Sequence, residues 1–163
     1  MTPTIVRIAR AWPRLCAIVC VAAACASSGS GGVKATPLNF APSLNIDLGA
    51  MKESPTGLWT RDLDQGAGRP IANGDVVRVR YTLWLTDGRR MEGIEGDDPP
   101  FEFKVGARQV IAGWEEGILG MRAGGRRQLV VPPTLGYGGR RKGDIPGASV
   151  LVFDLRVIEI VRQ

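Results

Sequence analysis

Val110-Ile111-Ala112-Gly113-Trp114-Glu115-Glu116-Gly117-Ile118-Leu119 is a stretch whose apolar residues follow a helical period in a chain otherwise patterned for strands. Val110, Trp114 and Ile118 recur at i, i+4 and i+8, with Ile111 beside Val110, which predicts a short helix with one apolar face. Gly113 and Gly117 make such a helix weak by itself, so it is expected to form only by laying that face on a sheet.

The flanking sequence supplies the sheet. Val77, Val79, Tyr81, Leu83 and Leu85 alternate with Arg78, Arg80, Thr82 and Trp84, and Asp87-Gly88 follows as a hairpin turn. Phe101, Phe103 and Val105 alternate with Glu102 and Lys104. Arg127, Leu129 and Val131 form a further run that Pro132-Pro133 ends, and Leu151, Phe153, Leu155 and Val157 alternate with Asp154 and Arg156. The predicted fold class is α+β: an antiparallel, twisted sheet of five to six strands wrapped around one short α-helix, with a crevice between helix and sheet.

The chain has 163 residues and a formal charge of +5. Arg7, Arg10 and Arg14 precede Cys25 with no acidic residue among them, leaving 18 of the 21 basic groups against all 16 acidic ones, a net of +2. So small an excess argues against a nucleic-acid partner, which needs a concentrated basic face. Basic residues up to Arg14, an apolar run from Leu15 to Ala24 and small residues beyond have the layout of a secretory signal, too short to span a membrane comfortably. Two processing sites compete there. Ala22-Ala23-Ala24-Cys25 looks like a bacterial lipobox with Cys25 as the lipid attachment site, although Ala22 replaces the usual leucine. Ala24-Cys25-Ala26 also satisfies the rule for ordinary signal peptidase.

Cys16, Cys20 and Cys25 all lie in this segment, so the folded part is expected to hold no disulfide and no thiolate metal site. The expected organisation is a signal segment over 1–25, a flexible tether and linker over 26–54, and one domain over 55–163. An exported protein follows, either soluble in the periplasm or anchored at the envelope membrane through an N-terminal lipid.

Inside the domain, Val110 to Gly117 resembles the most characteristic motif of the FKBP-type peptidyl-prolyl cis–trans isomerases. Others follow in that family's order: Gly74-Asp75-Val76-Val77 leading to Tyr81-Thr82, Asp87-Gly88, Phe101-Glu102-Phe103, Met121-Arg122-Ala123-Gly124, Tyr137-Gly138 and Leu151-Val152-Phe153-Asp154. Taken without the resemblance, Tyr81, Phe101, Trp114, Tyr137 and Phe153 read simply as core, since inward aromatics usually are.

The resemblance implies more. Trp114 would be the floor under a proline ring, with Tyr81, Phe101, Val110, Ile145 and Phe153 as walls. The Ile111 N–H and the Tyr137 hydroxyl would hold peptide carbonyls. Met91 and Glu92 stand where the family usually has phenylalanine and aspartate, and Asp97 where an arginine often pairs with that acid. Glu95, Asp97 and Asp98 are then expected to repel Glu92 rather than anchor it. Leu83 replaces a common glycine, and Gly139 to Gly143 is a shortened, basic form of the loop that overhangs the pocket.

The reaction implied breaks no covalent bond, so it calls for no cofactor, no metal and no histidine, and the chain has no histidine. The partners implied are proline-containing polypeptides, with macrolides such as rapamycin as inhibitors. A monomer is expected, because the longer N-terminal dimerisation region of some exported relatives is absent. The altered Met91-Glu92 rim keeps a binding or chaperone module on the same fold as an alternative, and a purely structural envelope lipoprotein as a third.

Overall fold

The computed structural model describes residues 38–161. Its seven strands are β1 (Lys52–Glu53), β2 (Trp59–Asp64), β3 (Val76–Leu85), β4 (Arg90–Ile94), β5 (Phe101–Lys104), β6 (Arg126–Val131) and β7 (Leu151–Val161), with one α-helix, α1 (Ala112–Gly117). All pairings are antiparallel, in the spatial order β1-β2-β6-β7-β3-β4. β5 joins the same edge of β3 as β4 but further along, pairing Val76–Val79 while β4 pairs Tyr81–Trp84. The fold is the α+β arrangement expected, with one strand more than the upper expected number.

The predicted alternation becomes the sheet's inner face. Val77, Val79, Leu83, Leu129, Val131, Leu151, Phe153, Leu155 and Val157 are buried in one cluster with Trp114 and Ile118 from the helix region. β3 and β7 pair along nearly their whole lengths, from Val76 opposite Val161 to Leu85 opposite Leu151, which fixes the register of the central sheet.

The helix is six residues long, shorter than the apolar pattern suggested. Its glycines do more than lower propensity. A Cβ on Gly113 would sit 2.5 Å from a methyl of Val131, and one on Gly117 would sit 2.9 Å from a methyl of Leu129. The missing side chains are what lets α1 lie directly on β6.

The stretch read as linker corrects the sequence expectation. Phe40 to Met51 folds across the opposite face of the sheet as a strap with short 3₁₀ turns at Pro42–Leu44 and Leu48–Ala50. Leu44 and Met51, 7% and 8% exposed, pack with Val130, Val152, Trp59 and Trp84 in a second apolar cluster. Ala41 N–H donates to the Thr86 carbonyl at 2.8 Å, and buried Gln128 donates to the Leu44 carbonyl at 2.9 Å. The signal segment, Cys25 and the Ser/Gly run lie outside the described residues.

Candidate functional site

A cleft of about 360 Å³ opens where the six-residue helix stops covering the sheet. Trp114 forms its base and is only 4% exposed, because α1 presses it into a ring of aromatics. Tyr81 from β3 meets the indole edge-to-face at 4.8 Å between centroids, Phe153 from β7 at 5.3 Å, and Phe101 from β5 at 6.2 Å. Such T-shaped contacts fix ring orientation as well as burying area. The indole N–H is buried with no hydrogen-bond partner among the described residues.

Val110 and Ile111 line the cleft just ahead of α1, which Ile111 enters in extended backbone with φ −62° and ψ 152°. The Ile111 carbonyl accepts from Trp114 N–H at 2.9 Å, which starts the helix. Its own N–H donates to no backbone carbonyl among the described residues. Tyr137 follows the turn Pro133–Leu135 and lines the wall.

Glu92 on β4 lies opposite Leu83, and its Oε1 accepts the Tyr81 hydroxyl at 2.5 Å. Burial first, and that bond to Glu92 second, push the Tyr81 phenol well above its ordinary range. Burial and the Glu92 charge also raise Tyr137. Both hydroxyls therefore remain protonated donors at any ordinary pH.

The expected crowding of Glu92 does not come from Glu95. Glu95 turns to the other face of the sheet, where it accepts from the Thr82 hydroxyl and lies 3.5 Å from Arg90. The Thr82 bond, then Arg90, hold its carboxyl below the usual range. The Asp98 carbonyl accepts from Arg80 at 3.1 Å, so that loop is tied down away from the cleft.

Of the ten cleft residues expected, eight converge: Tyr81, Glu92, Phe101, Val110, Ile111, Trp114, Tyr137 and Phe153. Two do not line it. Ile145 is 5% exposed and belongs to the core, drawn in by a two-way backbone bridge with Lys142. Met91 is the extra residue of a β-bulge, since Glu92 pairs with Leu83 while Arg90 pairs with Trp84, and its side chain packs against the core cluster.

Three further residues line the cleft: Leu83, Gln109 and Lys142. Leu83 and Lys142 stand out in the sequence only as departures from a family pattern. Gln109, whose Oε1 accepts from Lys104 N–H at 2.7 Å, gives no sequence signal beyond its place next to Val110.

The site can do little covalent chemistry. It has no nucleophile–base pair, and no group of three or more metal-ligating side chains occurs among the described residues. What it offers is an apolar floor, fixed aromatic walls and protonated hydroxyls at the rim, suited to gripping a cyclic apolar side chain and the carbonyls beside it.

Residues 68–158 match the family model described as FKBP-type peptidyl-prolyl cis-trans isomerase. The FK506-binding protein 2 of Dictyostelium discoideum is 46% identical over 89 residues, which is 54% of this chain and 67% of that one. The FK506-binding protein of Neisseria meningitidis serogroup B is 35% identical over 105 residues, 64% of this chain and 96% of that one. Among solved structures, FkpA from Escherichia coli superposes with a TM-score of 0.63 at 34% identity, over 68% of this chain and 51% of that one. Other relatives are far longer, and the chain spans only 21% and 28% of two proteins named FK506-binding protein 4 that it matches. Motif order, strand order and an aromatic-ringed tryptophan thus agree with the match along the sequence, and the chain belongs to the FKBP-type peptidyl-prolyl cis-trans isomerase family.

Proposed function

We propose that this chain accelerates rotation about X–Pro bonds in polypeptides that fold after export. The observation that carries the reading is the cleft itself, with Trp114 at its base and Tyr81, Phe101 and Phe153 around it. Amide rotation is slow because the planar form is held by resonance behind a barrier of about 18–20 kcal/mol. The twisted amide separates less charge than the planar one, so a water-poor apolar site favours it. Each tenfold in rate asks for about 1.4 kcal/mol of that preference.

In this mechanism the prolyl ring seats on the Trp114 indole. The Ile111 N–H and Tyr137 hydroxyl hold the flanking carbonyls, and Tyr81 keeps the Glu92 carboxylate fixed at the rim. Val110 and Phe101 close the sides. The same apolar cleft is proposed to accept macrolides. Export rests on the basic-then-apolar leader, with Cys25 as the candidate lipid site. Among the described residues no helix is long and apolar enough to cross a membrane. A monomer is the proposed state.

A binding module is the second reading, favoured by the rim: Leu83 lines the cleft, and Met91, half-buried against the core cluster, does not. One experiment separates the two. The full chain is assayed for isomerisation of a Leu-Pro peptide beside a Trp114→Ala variant whose fold is checked by circular dichroism. Excess rate in the parent that is lost in the variant supports the isomerase; peptide binding with no excess rate overturns it in favour of the module. Mass spectrometry of the mature N-terminus tests the anchor, since a diacylglycerol on Cys25 is expected if the lipobox is used.

A further inference from the structure

Among the residues lining the cleft, Lys142 is the one cation and Glu92 the one anion. They are not equivalent. The Glu92 carboxylate already accepts the Tyr81 hydroxyl, whereas among the described residues no carboxylate lies within 4 Å of the Lys142 ammonium.

The loop carrying Lys142 is also built, not loose. Lys142 N–H donates to the Ile145 carbonyl at 3.0 Å and Ile145 N–H returns a bond to Lys142 at 2.9 Å, with the Ile145 side chain sunk in the core. One level further out, Ala148 N–H donates to the Gly138 carbonyl at 2.7 Å, and a Cβ on Gly147 would come within 2.2 Å of the Gly139 carbonyl. The two legs are therefore held against each other, and the position of Lys142 over the cleft is fixed by the core.

Its neighbours in the loop are engaged elsewhere. Arg141 folds back, donating from Nε to the Gly143 carbonyl at 2.8 Å and lying 3.9 Å from Asp144. Arg140 is exposed and does not line the cleft.

We propose that Lys142 is a specificity-determining residue, through which the cleft favours proline segments with an acidic side chain next to the X–Pro bond. This deepens the peptide-binding reading above and rests on it. A lysine is a compact charge on a flexible stem, so it can follow a carboxylate on either side of the proline but loses side-chain entropy in doing so. An exposed pair of this kind is expected to change kcat/KM by roughly two- to fivefold. Salt weakens it by screening.

The test uses the full chain and peptide pairs that differ only by Glu or Gln, placed immediately before proline in one pair and immediately after it in the other. Rates are read by NMR exchange, without a coupling protease that has its own sequence preference. At low salt, Glu is expected to exceed Gln by roughly two- to fivefold in at least one pair. The preference should vanish in Lys142→Gln, reverse in Lys142→Glu, and persist in Arg140→Gln. A ratio at or below one in both pairs overturns the proposal. So does a preference that survives Lys142→Gln, or one that Arg140→Gln abolishes equally well. If a Leu-Pro peptide shows no excess rate, the isomerase reading fails separately, and the Glu-to-Gln ratio of Kd, from NMR titration of the chain with the same peptides, decides the role of Lys142.

Discussion

The two faces of the sheet each bury a tryptophan-containing apolar patch, yet only the inner one opens a cleft walled by aromatic rings. On the inner face α1 is six residues long and meets β6 at Gly113 and Gly117, so it covers part of the sheet and stops. On the opposite face the strap from Phe40 to Met51 has almost no regular structure, but it seats Leu44 and Met51 against Val130, Val152 and Trp84, and the hollow left beside it is edged by polar groups such as Arg61, Arg126 and Asp154. A regular element leaves an aromatic site by ending early, and an irregular one buries single side chains by following whatever shape the sheet presents. Residues next to the early end of α1 are the ones that expose aromatic faces to a ligand.

The largest expected effect comes from removing the strap. A chain beginning at Pro55 loses Leu44 and Met51, and at about 2 kcal/mol for each buried aliphatic side chain the loss is at least about 4 kcal/mol, read by denaturant unfolding. Peptide affinity in the surviving folded fraction should stay within about twofold, since free energies at well-separated sites add. If the shortened domain proves equally stable, the strap does not contribute the burial of Leu44 and Met51 to the fold.

Gly113→Ala probes the other cover. Its Cβ would lie 2.5 Å from Val131, and overpacking of this kind costs about 1–3 kcal/mol. Because α1 carries Trp114, peptide affinity should fall along with stability, unlike in the truncation. Gly139→Ala, with no atom within 4 Å of the added carbon, is the control and should change stability by less than about 0.5 kcal/mol. Equal effects at the two glycines would remove the close-approach argument.

Tyr81→Phe is expected to cost about 0.5–1.5 kcal/mol of stability for the lost hydrogen bond to Glu92. An isomerisation rate unchanged by it would mean that fixing Glu92 contributes nothing to turnover.

The smallest effect, absent at neutral pH, appears in alkali. Both tyrosines of the chain, Tyr81 and Tyr137, line the cleft and both are raised above the ordinary phenol value of 10.0. A raised value means the folded state holds its protons more tightly than the unfolded chain. The associated stability is therefore complete below about pH 10 and is lost as pH rises above it. Tyrosinate absorbance in the native protein should lag behind that of the protein unfolded in denaturant, which should titrate near pH 10. Coincident curves would show that the cleft is not a water-poor environment.

These contrasts also mark what the sequence could reveal. The inner face was legible because β3 and β7 repeat their apolar residues at a strict period of two and α1 at a helical one, and periodicity survives translation into structure. The strap was not legible, because its contacts come from single residues in short turns with no repeat. The role of Gly113 and Gly117 depends on where Val131 and Leu129 stand on a strand distant in sequence, so the residues themselves disclose only weak helix propensity. In the cleft, the aromatic set could be located from its motifs. Met91 could not be oriented, since one bulged residue reverses the face of a side chain without altering composition. Lys142 and Ile145 share a bridge whose closure is a matter of loop geometry, and a run of basic residues gives no sign of which one leans inward.

The strap meets the rest of the fold at the β3–β4 turn, where a Cβ on Gly88 would come within 2.9 Å of the Ala41 side chain, and Ala41 is bonded to Thr86. Tension drawn through the N-terminal end would load that clasp first and peel it residue by residue, before any force reached the long β3–β7 ladder along its length. Under such a load the clasp between Ala41 and the β3–β4 turn would part while the central ladder, and the binding surface built on it, stayed intact.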